Sequence, residues 1–300
     1  MISKTYTNNV RIEKSVSWQA LLSKALLFIC LSVYLGYLCW TSQRTLIFVE
    51  VGLLFMAIAY FKPYRKRVIP TYTEICLELF AVIMTFAVFF ELYNLAIDQP
   101  SVKLLLSVNQ IGQFHEWVMG WPIWLTIVCY YIVADFIAYW GHRLLHSRWF
   151  WHSHAFHHAA KHLNLLSGMR TSFLHVVIAY LPYTIVWVFF PMPQAGSIGV
   201  SIIIFEMVNQ HYTHSNIRFP FQKQLEWVFV TPRFHFVHHS AVRKYSDSNY
   251  GFIFSIWDRI FGTYTDPENV DPNEPLGLNY ENSTWRLMIG LPPKKSVAKS

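Results

Sequence analysis

The 300-residue chain is short of charge: Asp, Glu, Lys and Arg together make up 14% of it, against 54% hydrophobic and 18% aromatic residues. So little charge excludes an ordinary soluble domain and points to the membrane as solvent. Cysteine is also scarce. Cys30, Cys39, Cys76 and Cys129 are widely separated inside apolar stretches and form no CxxC pair, so a redox couple, a thiolate metal site and a disulfide scaffold are all unsupported. Repeats and low-complexity tracts are missing. No cleavable leader is expected, because a polar stretch precedes the first apolar run and no small-residue cleavage site follows it.

What is present is a series of apolar runs. They extend over Leu21 to Trp40, Thr45 to Phe61, Ile75 to Ile97, Val118 to Trp140, Phe173 to Phe190 and Gly196 to Val208. Most approach the ~20 residues that a helix needs to cross hydrocarbon, and the short last run pairs with its neighbour as a hairpin through a Pro191 to Gly196 turn. The expected fold is an all-α integral membrane bundle of about six transmembrane helices. A less apolar region from Ser215, with turn-forming SDSNYG and DPENVDPNEP, forms a cytosolic cap with short helices and loops. The domains expected are 1–117 for the N-terminal helices, 118–268 for the catalytic unit and 269–300 for a cytosolic tail ending in the basic PPKKSVAKS.

The net charge of +7 does not require a nucleic-acid partner, because the basic residues sort by membrane side. With a cytoplasmic N-terminus, Lys4, Arg11, Lys14, the Lys62 to Arg67 cluster, Arg143, Arg148, Lys161 and Arg170 lie inside, and only Arg44 and Lys103 lie outside. The expected location is a multi-pass site in a bacterial inner membrane or endoplasmic reticulum, with its chemistry facing the cytoplasm.

Histidine is abundant, at 14 residues. His142 and His146 stand in HRLLH, His154, His157 and His158 in HAFHH, and His235, His238 and His239 in HFVHH. On helices, i, i+4 and i, i+3, i+4 spacings turn each set to one side of its own segment. Imidazole binds Zn, Cu, Fe and Ni, and a mononuclear tetrahedral site takes at most four ligands, so eight histidines in three sets imply two metals in one centre. Arg143 replaces the glutamate of an HExxH protease site. Hydropathy brings all the sets to one membrane face. A histidine-lined transporter would place its ligands near the midplane on broken helices.

Asp135 is ionisable within an apolar run and either orients a histidine from another segment or makes a helix contact. Glu78, Glu91 and Glu206 read as partnered interior carboxylates. His115 in an outer loop, His152 and His175 read as packing or interfacial residues, and Trp149, Phe150, Trp151 and Phe156 as an aromatic belt.

Together, DFIAYWGHRLLH, WHSHAFHH, TPRFHFVHHS and NYGFIFSIWDRIFGT resemble the membrane-bound fatty acid hydroxylase and sterol desaturase superfamily over roughly Trp121 to Thr263. The resemblance implies a di-iron oxygenase that oxidises lipids with O2 and electrons from a separate transfer protein or reductase. It implies that the eight histidines are ligands, adds His214 in QHYTHSN, and leaves His211 or His162 open as a tenth because Gln210 stands where some relatives have histidine. HHAAKHLNLLSGMR is similar to the branch containing alkylglycerol monooxygenase, which singles out Asn164 and Arg170 as functional. WDRIFGT and NYG are expected to brace the cap, with Asp258 a partner to the histidine site. Lipid hydroxylation is the reaction expected, with desaturation and ether-lipid oxidation as alternatives.

Overall fold

The computed structural model describes residues 18–193 and 196–294. The early basic residues Lys4, Arg11 and Lys14, the end of the basic tail, and two residues of the Pro191 to Gly196 turn lie outside those described. The described chain is all-helical. Only two isolated β-bridges occur in it, Phe229 to Phe254 and Ser240 to Leu276.

Four helices are long and apolar enough to cross a membrane. Helix α1 spans Trp18–Thr41 and α2 spans Gln43–Phe61, where the Ser42 side chain caps α2 by accepting from Thr45 N–H. Helix α3 runs Tyr72–Leu106 and opens with a capping box in which Thr71 and Glu74 each satisfy the other's backbone N–H. Its 35 residues extend about 52 Å at 1.5 Å per residue, well beyond the ~30 Å hydrocarbon core. Two wide π turns, Thr85–Phe89 and Asn94–Asp98, interrupt it. Helix α4, Asn109–Met119, follows, and then α5, Ile123–Leu145.

The observed segments correct the sequence expectation in two places. The expected outer loop is helical, because α3 continues past Asp98 and α4 follows it, so His115 is a buried helical residue with Nδ1 at 2.6 Å from the Val188 carbonyl. The span expected from Val118 starts at Ile123, because Pro122 lacks an N–H and serves as the residue before the first turn of α5.

Two further helices occupy the positions of the fifth and sixth expected spans. Helix α7, Phe173–Phe189, has 17 residues and Pro182 inside it, and α8, Gly196–Thr213, ends in the polar run Asn209, Gln210 and His211. Neither is among the four helices long and apolar enough to cross a membrane, and α7 is a shorter apolar helix. Among the described residues, α5 packs on α7, α2 on α8, and α1 on both α2 and α3. The outer face of α1 exposes Leu22, Leu26, Ile29, Val33 and Tyr37, as lipid contact demands.

Between α5 and α7 lies the short helix α6, Trp151–His158. After α8 come the short helices α9, Gln222–Leu225; α10, Pro232–His238; α11, Arg243–Ser246; α12, Ile256–Ile260; and α13, Thr284–Met288. Helix α10 starts by local rule: Pro232 occupies the first turn, and the Thr231 side chain accepts from Phe234 N–H. Behind it, Glu226 accepts from Arg233 at 2.7 Å and also pairs with Thr231, which pins the helix to the cap. Residues after 268 fold back onto α6, where Leu287 packs with Ala155 and Phe156, and Trp151 donates to Tyr280 at 2.9 Å. Phe156 is therefore core, whereas Trp149 is exposed.

Candidate metal centre

Four segments deliver nine histidines to one buried volume. His142 is in the last turn of α5 and His146 caps it; His154, His157 and His158 lie on α6; His214 follows α8; His235 and His238 lie on α10, which His239 caps. They form two groups, and within each the ligand atoms lie within 4.8 Å of one another. One group holds His142, His146, His154, His158 and His238, and the other His157, His214, His235 and His239.

Each HxxHH triplet is therefore split. At about 100° per residue, i and i+4 stand about 40° apart while i+3 lies about 100° from i+4. His154 and His158 accordingly enter the first group and His157 the second, whereas His235 and His239 enter the second and His238 the first. The two short helices exchange one ligand each. The expectation that a whole triplet faces one way missed this division.

The spacing fits a metal ion. In the first group His142 Nε2 and His158 Nε2 lie 3.1 and 3.2 Å from His154 Nε2. In the second, His214 Nε2 lies 3.3 Å from His157 Nε2 and 3.1 Å from His235 Nε2, which is 3.0 Å from His239 Nε2. Nitrogens bound about 2.1 Å from a common ion stand about 3.0–3.4 Å apart in tetrahedral or octahedral arrangements.

Protonation points the same way. His142, His214 and His238 donate from Nδ1 to the carbonyls of Tyr250, Gln210 and Ser248 at 2.7, 2.9 and 2.8 Å. A neutral ring that donates from Nδ1 presents a lone pair at Nε2, the ligand form. The buried Nε2 atoms of His146 and His238 have no hydrogen-bond partner among the described residues, as donors awaiting an ion would not. Burial first, and then neighbouring imidazoles, hold His154, His157, His158, His235 and His239 well below the ordinary histidine range, and burial brings His214 to about 4. These rings are neutral at pH 7, as coordination requires.

Close packing supports the cage. A Cβ on Gly168 would sit 2.8 Å from His214 Cγ and 2.9 Å from Gln210 Nε2, so a side chain there would push the ring aside.

The remaining histidines stay outside both groups. His211 Nε2 donates to the Phe48 carbonyl at 2.7 Å, and His162 lies beside Glu78 at 3.6 Å. His175 is close, with Nδ1 3.4 Å from His154 Nδ1, but belongs to neither group.

The four non-histidine candidates make structural contacts. Asp135 accepts from Ile253 N–H, Phe254 N–H and Trp257 Nε1 at 2.9, 3.0 and 3.0 Å, which joins α5 to the cap and leaves it no histidine partner among the described residues. Asp258 accepts from the N–H groups of Tyr250 and Gly251 at 2.8 Å and from Thr263 at 2.6 Å. Burial raises its carboxyl to about 6 against the pull of those bonds. It reaches His142 only through the Tyr250 peptide.

Asn164 and Arg170 both bind Glu78, at 3.0 and 2.7 Å, and so fasten the segment between α6 and α7 to α3. Glu78 and Arg170 are nearly fully buried. Removing one member strands the other's charge at a cost of about 3–5 kcal/mol. Thermal unfolding in detergent should show that loss for Glu78→Ala, with much of it recovered when Arg170→Met is combined with Glu78→Leu. A Glu78→Ala protein as stable as the parent would remove the clamp from this account.

Both groups border one cavity of about 590 Å³, lined by His142, His154, His157, His214 and His235. The first π turn of α3 contributes Thr85 and Phe86 to its wall, and the second contributes Asn94 and Asp98.

An all-helical membrane protein with two adjoining, buried imidazole groups able to hold metal is the class that this fold and site define. Residues 127–263, which contain all nine histidines, match the family model described as fatty acid hydroxylase. It is 33% identical over 153 residues to an alkylglycerol monooxygenase of Xenopus tropicalis, covering 49% of this chain and 31% of that protein. The Homo sapiens alkylglycerol monooxygenase is 31% identical over 205 residues, 64% of this chain and 45% of that protein. The ornithine lipid hydroxylase OlsE of Rhizobium tropici is 30% identical over 158 residues, 51% of this chain and 46% of that protein. The chain thus spans less than half the length of these relatives. No solved structure matches it.

Proposed function

We propose that the chain is a membrane-bound di-iron monooxygenase that hydroxylates a lipid using O2 and electrons from a separate donor protein. The observation that carries this reading is the pair of histidine groups, of five and four residues, bordering a single cavity. His142, His146, His154, His158 and His238 would hold one ion, and His157, His214, His235 and His239 the other. Iron, when bound there, supplies the redox chemistry with O2 that zinc lacks.

The protein's own part is positional. Carbonyl contacts at His142, His214 and His238 fix the ring orientations, the buried cage keeps the imidazoles neutral, and the cavity brings a substrate carbon beside both groups while excluding bulk water. Asp135, Asp258, Asn164 and Arg170 act as positioning residues through the backbone and Glu78. The relatives named as alkylglycerol monooxygenases favour an ether lipid as the second reading. The basic residues near the histidine end support a reading in which that end and both termini face the cytoplasm.

The test is isotopic. Membranes containing the chain, given 18O2 and a competent reductase, should yield a lipid carrying one heavy oxygen, and His146→Ala membranes should not. An unlabelled product with two fewer hydrogens would move the assignment to desaturation. A labelled hemiacetal or aldehyde would move it to ether cleavage. Identical lipid extracts with and without O2, with the reductase shown to reduce the protein, would end the oxygenase reading.

A further inference from the structure

The wall of the cavity away from the histidines sets a group of polar side chains among aromatic and aliphatic ones such as Phe90, Ile202 and Phe205. Arg44 donates to Glu206 at 2.9 Å across α2 and α8. Asp98 accepts from the Thr184 hydroxyl, which in turn meets the Tyr93 hydroxyl at 2.5 Å. Tyr131 also lines the cavity, and its hydroxyl is buried with no hydrogen-bond partner among the described residues. Glu206 precedes His214 by eight residues along α8, so the polar wall stands about 12 Å from that histidine along the helix axis.

An alkyl tail gains nothing from the polar part of that wall. Methylenes packed against an ion pair and a free hydroxyl strip water from them and return no hydrogen bond. Ionisable groups that line a cavity between membrane helices are expensive to keep and mark where a polar ligand passes or binds. The charge balance defines which ligand. Among the described residues Arg44 is the one Lys or Arg of this wall, is already paired with Glu206, and is outnumbered by Glu91, Asp98 and Glu206. An anionic headgroup meets repulsion there, whereas an ammonium group meets carboxylates and the free phenol oxygen.

We propose that this wall is a headgroup site selecting lipids that carry an ammonium group. The inference rests on the lipid-oxidation reading only for what happens at the histidine end; headgroup binding is measured without turnover.

The experiment uses the full chain, loaded with iron, in non-ionic micelles. Three radiolabelled probes share a hexadecyl chain and end in an ammonium, a glycerol or a phosphate group. The ammonium probe should bind about tenfold more tightly than the phosphate probe, the scale of one hydrogen-bonded charge contact. Glu206→Gln and Asp98→Asn should each erase most of that preference. Tyr131→Phe, which removes one hydroxyl and keeps the ring, should weaken the ammonium probe a few-fold, with bound metal unchanged in all three variants. Equal binding of the probes, tightest binding of the glycerol or phosphate probe, or a preference untouched in metal-retaining Glu206→Gln and Tyr131→Phe proteins would overturn the proposal. If the oxygenase reading alone is wrong, no probe will give an O2-dependent product while the ammonium preference persists.

Discussion

His157→Ala and His158→Ala, at adjacent positions of one helix, are expected to affect different metal positions, the first emptying one and the second loosening the other. His157 is one of four in its group, so its loss leaves three imidazoles, whereas loss of His158 leaves four in the other group. The purified His157→Ala protein should retain about half the parent's metal, and its activity should fall by more than about 100-fold, since loss of even an outer partner of a ligand costs 10–100-fold. His158→Ala should retain both ions but release one faster to a chelator. His211→Ala is the control: that ring bonds to the Phe48 carbonyl away from both groups, and metal content should be unchanged. Elemental analysis with a timed chelator challenge decides the matter. Identical losses from His157→Ala and His158→Ala would show that the two groups act as one site.

Asp258→Ala is expected to damage the centre without touching it. Two buried N–H groups and the Thr263 hydroxyl lose their acceptor, each at about 1–3 kcal/mol before relaxation. The Tyr250 peptide then loses its anchor, and its carbonyl is the one that His142 Nδ1 holds. Thermal stability should fall, and metal should bind about 10–100-fold more weakly, the range seen when an outer partner of a ligand is removed. Asp258→Asn keeps one acceptor oxygen and should fall between the two. A destabilised Asp258→Ala protein with unaltered chelator sensitivity would break the proposed link through Tyr250.

The helical class, the membrane setting and the positions of the histidines were legible because hydropathy and 3.6-residue spacing are local properties. The division of each triplet was not. It depends on how α6 and α10 face one another, and one helix wheel carries no information about its partner. The helix bounds were missed for a related reason: composition alone does not show that Pro122 delays α5, that α3 continues into the expected outer loop, or that α7 and α8 are shorter than the long apolar helices.

Asp135 stood out in the sequence as an ionisable residue in an apolar run, and Asn164 and Arg170 through the resemblance carried by HHAAKHLNLLSGMR. Their partners, the Ile253 to Trp257 backbone and ring nitrogen for the first and Glu78 for the other two, are 118 to 122 and 86 to 92 residues away. Sequence spacing cannot signal such distant bonds. The polar far wall of the cavity was equally hidden, because Arg44, Asp98, Tyr131 and Glu206 come from four separate helices.

The exchange of ligands between α6 and α10 also fixes an order of assembly. The first group needs His238, and the second needs His235 and His239, so neither is complete until nearly four-fifths of the chain has been made. By then the four long apolar helices have already left the ribosome for the bilayer. Capture of metal by either group would thus follow the making of those helices, a rivet set through two plates after both are in place, and an ion arriving earlier would find no finished seat.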